Sequence, residues 1–274
     1  MTQTVLITGA STGFGKATAL YFASQGWQVI ASMRNPAAGA DLARHDNILV
    51  TRLDVQDTDS IAAAITTAVQ RFGTVDAVVN NAGFGLFGLF EATSREKIQE
   101  QFDVNVFGMM DVIRAILPHF RARGTGTIVN ISSGAGVYGL PMISLYNASK
   151  FALEGFSESL SYELGSQGIT VKIVEPGGVL DTKFGERSAN EFGMARIPPG
   201  YEGFMEAARK FFDGLRAQRL ATAEEVARGI FDATTDGTDR LRYVVTDDIK
   251  PPIKARRESS EEEYMAFMRG NFRS

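Results

Sequence analysis

The 274-residue sequence contains no cysteine, two histidines and one tryptophan, and each scarcity narrows the chemistry open to it. Without cysteine there are no disulfides, no thiolate nucleophile and no cysteine-ligated metal, a usage that fits a reducing compartment. His45 and His119 alone cannot build a histidine-rich metal centre. No run of roughly eighteen apolar residues occurs. The opening Met1–Thr8 has neither a positive leader nor a long apolar stretch, so no membrane span is expected and the expected location is cytoplasmic. Basic residues are not in excess either, with 28 Lys and Arg against 32 Asp and Glu and a net charge of −4. A phosphate-tracking surface needs the opposite balance, so nucleic acid is not an expected partner. What is present is apolar: 44% of residues are hydrophobic and 22% charged, enough to bury a sizeable core.

Short apolar runs alternate with longer segments of helical period, the pattern of parallel strands joined by crossover helices. The expected strands are Thr4–Thr8, Gln28–Ser32, Ile48–Leu53, Ala77–Asn80, Thr127–Ile131, Thr170–Val174 and Arg242–Thr246. Phe14, Ala17 and Tyr21 mark a helix between the first two, stopped near Gly26. Further helices are expected over about Thr58–Phe72, Ser94–Ala122 and Leu145–Ser166. With no Pro/Ser linker and no repeat, one α/β domain is expected over residues 1–249, a doubly wound Rossmann-type sheet, with a helical tail over 250–274. Residues 183–216 break the rhythm with Phe184, Phe192, Met194, Phe204, Phe211 and Phe212 but no strand, as a lid over a ligand or a helical cover on the core would. In the tail, Ser260-x-x-Glu263 reads as a capping box before Tyr264, Phe267 and Met268. That stripe is expected to pack on its own or a neighbouring subunit.

Directly after the first strand stands Thr8-Gly9-Ala10-Ser11-Thr12-Gly13-Phe14-Gly15, followed by a helical pattern. Glycines here permit a tight turn and let a pyrophosphate approach the positive end of a helix. The second strand ends in Ser32-Met33-Arg34-Asn35 without a carboxylate before Asp41. A carboxylate at that point would hold both ribose hydroxyls and repel a 2′-phosphate. Arg34 instead offers a fork of donors suited to phosphate, with Ser32 and Thr12 as added hydroxyls, so NADP (NADPH) is expected over NAD. Asp54-Val55 and Asn80-Asn81-Ala82-Gly83 stand at the ends of the third and fourth strands, where an open parallel sheet receives its ligand.

After the fifth strand come Ser132-Ser133-Gly134 and then Tyr146-Asn-Ala-Ser-Lys150 on a helix, which puts phenol and ammonium on one face. A phenol with a pKa near 10 exchanges protons poorly at neutral pH, and each tenfold gain in its acidity needs about 1.4 kcal/mol of differential stabilisation of the phenolate. Lys150 and an oxidised nicotinamide are positive charges able to supply it. Ser133 can hydrogen-bond a substrate oxygen, with Ser132 as its rival.

The ordered set Thr8-Gly-x-x-x-Gly-x-Gly15, Asn80-Asn-Ala-Gly83, Asn105, Ser133, Tyr146-x-x-x-Lys150 and Pro176-Gly177 resembles the short-chain dehydrogenase/reductase family over residues 3–246. The resemblance implies strand order 3-2-1-4-5-6-7, a nicotinamide dinucleotide and no metal in the chemistry. It implies Tyr146 as acid/base, Lys150 lowering its pKa and binding the nicotinamide ribose, and Ser133 positioning the substrate oxygen. Asn105, in Asp103-Val-Asn-Val-Phe-Gly108, would keep a water beside the lysine. The resemblance also favours Ser133 over Ser132, because the thirteen-residue step from 133 to 146 matches the family's serine-to-tyrosine spacing. The implied cofactor contacts are Gly9, Ser11, Thr12, Gly13, Phe14, Gly15, Arg34, Asp54, Val55, Asn81, Ala82, Gly83, Tyr146, Lys150, Pro176, Gly177 and Thr182. Two features depart from the family pattern: Phe14 stands where Ile or Leu is usual, and Thr182 is displaced by one residue.

The substrate walls are expected from Phe84–Phe87, Val137–Pro141 and the 183–216 excursion, and their apolar content points to a ketone or secondary alcohol with a hydrophobic body. Ser32–Pro36 and Lys150–Ser157 resemble the branch holding hydroxysteroid and retinol dehydrogenases. The resemblance also implies a homodimer or homotetramer built on the Ser94–Ala122 and Leu145–Ser166 helices. Two other readings remain beside the oxidoreductase: a catalytically silent dinucleotide sensor, and a lyase or epimerase holding its nicotinamide tightly. The intact Ser/Tyr/Lys set weighs against the sensor, which needs only the nucleotide end.

Overall fold

A computed structural model describes residues 2–179, 197–217 and 220–273 of the chain. The seven expected strands form as β1 (Thr4–Ile7), β2 (Gln28–Met33), β3 (Ile48–Arg52), β4 (Ala77–Asn80), β5 (Gly126–Ile131), β6 (Ile169–Glu175) and β7 (Arg242–Val244). They pair in parallel as one sheet of order β3-β2-β1-β4-β5-β6-β7. Helices α1 (Gly13–Ser24), α2 (Thr58–Phe72), α3 (Arg95–Phe102), α4 (Met109–Arg123) and α5 (Ser144–Gly165) follow. After them come α6 (Glu202–Arg216), α7 (Ala223–Thr235), α8 (Lys250–Glu258) and α9 (Glu261–Arg273).

Strand residues alternate between the two faces, so each strand feeds two cores. Leu6, Ile30, Val78, Ile128 and Ile173 join α2, α4 and α5 on one side. Val5, Ile7, Val29, Val79 and Val129 join α1 and α7 on the other. Burial of each such side chain stabilises the fold by roughly 1.5–3 kcal/mol. Phe22 locks α1 to α7 through an edge contact with Phe231 at 5.0 Å and packs on Trp27, just before β2, at 5.2 Å.

On the α5 side of the sheet runs a thread of polar side chains. Asn80 Nδ2 donates to Asn130 Oδ1 (2.8 Å), Asn130 Nδ2 to the Ser157 hydroxyl (2.8 Å), and that hydroxyl to the Leu153 carbonyl (2.7 Å). It ties β4 and β5 to α5 just below the strand ends.

The structure departs from the sequence reading in several places. The expected Ser94–Ala122 helix follows one helical path but widens into a π turn over Asp103–Gly108, where Asn105 bonds to Phe84 and Gly108 presses on Val55. The strand expected to reach Thr246 stops at Val244; the Thr246 hydroxyl instead accepts the Gly177 N–H at 2.9 Å. Helix α7 was not anticipated, although Thr222-x-x-Glu225 forms a reciprocal capping box. The Ser260–Glu263 box forms as read and starts α9. Of the 183–216 excursion, α6 is described; its earlier part, with Phe184, Phe192 and Met194, lies outside the described residues.

Candidate active site

The carboxyl ends of the strands open onto one cavity of about 1320 Å³. This exceeds the roughly 300–1,000 Å³ of a site for a single drug-sized ligand. It runs from the glycine turn after β1, past Tyr146, to α6 and α9. Gly9, Ser11, Thr12, Gly13, Phe14, Arg34, Asp54, Val55, Asn81, Ala82, Gly83, Pro176 and Gly177 all line it, together with Ser133, Tyr146 and Lys150.

The glycine turn is held from behind. The Thr8 hydroxyl accepts the Asn81 and Ala82 N–H groups, each at 3.0 Å, and Asn81 Nδ2 donates to the carbonyls of Thr8 (2.9 Å) and Gly9 (3.1 Å). The Asn81 side chain thus shapes the loop. Gly9 sits at φ +69°, and a methyl on Gly15 would overlap the Gly9 carbonyl and the Asn81 amide. Gly15 is a packing residue beneath the cavity. Thr12 is the exposed N-cap of α1 and makes no side-chain capping bond, leaving its hydroxyl beside the positive helix end.

At the end of β2, Arg34 is exposed at the cavity edge with no hydrogen-bond or ion-pair partner among the described residues. Asp41 is ion-paired to Lys16 at 2.5 Å, which holds its carboxyl below the usual range. Ser32 is corrected as a phosphate ligand: it is fully buried and donates to the Ile7 carbonyl at 2.9 Å. Asp54 accepts the Gln56 N–H at 3.1 Å.

Beyond β5, Ser133 caps a short turn over Gly134–Gly136 by accepting the Ala135 N–H at 3.1 Å, and it is hydrogen-bonded to Tyr146. The buried Ser132 hydroxyl has no partner among the described residues. Helix α5 places Lys150 Nζ 5.7 Å from the Tyr146 ring centre, where it donates to the Ile131 carbonyl at 2.8 Å. Asn147 holds the 135–138 loop against this helix through the Ala135 and Tyr138 carbonyls at 2.6 and 2.8 Å. Burial pushes the Tyr146 phenol up to about 12, opposed by the Ser133 bond. Burial also pulls the Lys150 ammonium down to about 8, opposed by Glu154. The burial comes from Ala135, Ile143, Phe87 and Leu140, which pack around the Tyr146 ring.

Asn105 is buried; its amide donates to the Phe84 carbonyl (2.9 Å) and the Ser149 hydroxyl (3.2 Å) and accepts the Phe84 N–H (3.0 Å). It pins the loop after β4 to α5. Thr182 lies outside the described residues. Phe84, Phe87, Tyr138 and Leu140 line the apolar end as expected, joined by Phe211 and Phe212 of α6. Phe267, Met268 and Phe272 of α9 line it as well, so the tail stripe is not confined to packing within or between subunits. Its i, i+1, i+5 spacing at one helix face was the available signal. Among the described residues no cluster of His, Asp or Glu could hold a metal, and no helix is long and apolar enough to cross a membrane.

A family model for short chain dehydrogenase matches residues 3–191. An uncharacterized oxidoreductase of Schizosaccharomyces pombe is 38% identical over 222 residues, covering 78% of this chain and 89% of its own. Human retinol dehydrogenase 8 is 40% identical over 205 residues, covering 72% and 65%. The crystal structure of a short-chain dehydrogenase from Streptomyces avermitilis superposes with a TM-score of 0.82 at 32% identity, over 98% of this chain and 97% of that one. Two further structures at 26% identity hold a nucleotide: ElxO with NADP bound (TM-score 0.74, 89% and 97% covered) and a Burkholderia phymatum protein with NAD (0.77, 93% and 91%). With its glycine turn, its Ser-Tyr-Lys arrangement and these likenesses in agreement, the chain belongs to the short-chain dehydrogenase family of oxidoreductases.

Proposed function

We propose that this oxidoreductase uses NADP to interconvert a ketone and a secondary alcohol with a hydrophobic body. The observation that carries the reading is the position of Ser133, Tyr146 and Lys150 midway along one cavity, between a glycine-lined end and an aromatic end. When bound, the nicotinamide supplies or takes up the hydride. In reduction, Tyr146 gives its proton to the substrate oxygen as hydride reaches the carbonyl carbon; in oxidation its oxygen takes that proton back. Ser133, bonded to the phenol, holds the same substrate oxygen. Lys150 faces the phenolate and would also bind the nicotinamide ribose.

Arg34 and Thr12 would hold the 2′-phosphate, and the Asp41 carboxylate that could disfavour it is tied to Lys16. Related structures hold either nucleotide, so the selection rests on these side chains. The apolar body is supported by the Phe84, Phe87, Phe211 and Phe212 walls and by the likeness to a protein named retinol dehydrogenase. Phe107, Phe151 and Tyr162, 49%, 43% and 76% exposed on the α3–α4 turn and on α5, supply the apolar surface for a homodimer or homotetramer.

The test is Tyr146→Phe, followed by NADPH absorbance against a panel of hydrophobic ketones. NADPH binding is expected to persist while turnover falls by about 10²–10⁴. Retained turnover would refute the assignment of Tyr146.

A further inference from the structure

Helix α6 is strongly amphipathic, yet of its residues only Ala208 is fully buried. None of its apolar side chains belongs to either sheet-face core described above. Phe211, Phe212 and Leu215 turn instead to the cavity. Across it lies α9, and the two are joined by a row of rings. Phe87 meets Phe212 at 6.0 Å, Phe212 meets Phe211 at 5.3 Å, and Phe211 meets Phe272 at 5.9 Å. Phe204 closes on Phe272 from the far side at 5.8 Å. The row begins at Phe87, which packs in the apolar cluster around Tyr146, and ends at the last turn of the chain's last helix.

The position of α9 is built in. Tyr264 is buried with Val137, Tyr138, Ile249 and Ile253. One helix earlier, Arg257 of α8 is paired at 2.5 Å with Glu175, a fully buried carboxylate just before Pro176-Gly177. The tail is thus anchored at the nucleotide end and presents Phe272 at the other. Glu206, Lys210, Arg216 and Asn271 form a polar rim where the row reaches solvent.

We infer that α9 is a wall of the substrate site, that Phe272 and Phe211 determine specificity, and that the favoured substrate is an elongated apolar ketone or alcohol whose tail lies along the aromatic row. A carbonyl beside Tyr146 with a long alkyl or fused-ring body reaches these rings, whereas a short ketone ends before them. This deepens the oxidoreductase reading and rests on it.

The experiment uses the full chain saturated with NADP⁺, so that no reduction runs, and measures binding of 2-butanone and 2-dodecanone by calorimetry. Wild type is expected to bind 2-dodecanone at least tenfold more tightly. Phe272→Ala and Phe211→Ala should each shrink that ratio at least fivefold, while Phe272→Leu restores part of it. An unchanged NADP⁺ affinity in the variants shows that they are folded. Wild type that binds NADP⁺ but does not discriminate between the ketones, or variants that keep the wild-type ratio, would overturn the inference and leave the oxidoreductase reading standing. Failure of wild type to bind NADP⁺ would refute the cofactor reading and the inference with it.

Discussion

Replacing Lys150 by methionine should make the protein more stable while abolishing its chemistry. The lysine is 7% exposed, and burial moves its ammonium from the usual 10.5 to about 8. At pH 7 both folded and unfolded chains carry the proton, so the full cost of the buried charge, about 3 kcal/mol, is borne by the native state. Methionine removes that cost but also the bond to the Ile131 carbonyl, losing about 1–2 kcal/mol. The net expectation at pH 7 is a gain of about 1–2 kcal/mol, or a rise in Tm of roughly 2–6 °C. Between pH 8 and 10.5 the unfolded wild type binds more protons than the folded, so wild-type stability climbs. By pH 9.5 the burial cost has fallen to about 1 kcal/mol and the advantage of the variant should vanish. Urea unfolding followed by fluorescence of the buried Trp27 reads both values. A variant less stable than wild type at pH 7, or a difference that stays the same at pH 9.5, would refute the argument. Turnover should drop by about 10²–10⁴ throughout.

Arg34→Asp should move preference from NADP towards NAD, read as the ratio of kcat/KM values; an unchanged ratio would remove Arg34 as selector. Gly15→Ala drives a methyl into the Gly9 carbonyl and should cost about 1–3 kcal/mol along with nucleotide affinity, measured by thermal unfolding and titration. Light scattering at micromolar concentration should give a multiple of the chain mass, and Tyr162→Asp should lower it; a monomeric wild type would exclude the α5 interface.

The sheet was legible because period and punctuation agreed: Thr4–Ile7, Gln28–Met33 and Ala77–Asn80 are apolar runs closed by turn residues, as a strand buried on both faces must be. The line of glycine turn, Ser133, Tyr146 and Lys150 was legible because local spacing fixes which groups share a strand end or a helix face. Long-range bonds were not legible. Nothing in Ser32 announces that its hydroxyl belongs to Ile7, nor in Asp41 that it will pair with Lys16. Helix α7 was missed although two signals were readable, its Thr222-x-x-Glu225 capping box and the i, i+1, i+4, i+7 run of Val226, Ala227, Ile230 and Ala233 on its buried face. The role of α9 was hidden because an amphipathic stripe looks the same whether it faces a core, a partner or a cavity.

The polar thread through Asn80, Asn130 and Ser157 has a consequence for how this protein can change. Each link donates in one direction, so turning a single amide around would set two donors or two acceptors face to face. A slip of α5 by one turn, about 5.4 Å, would carry the Ser157 hydroxyl away from Asn130 and break the link that joins sheet to helix. The thread therefore acts as a ratchet on the helix bearing Tyr146 and Lys150, admitting one axial setting and rejecting its neighbours. A drift towards an all-apolar interior would have to exchange all three residues together, because any single step strands a buried polar partner.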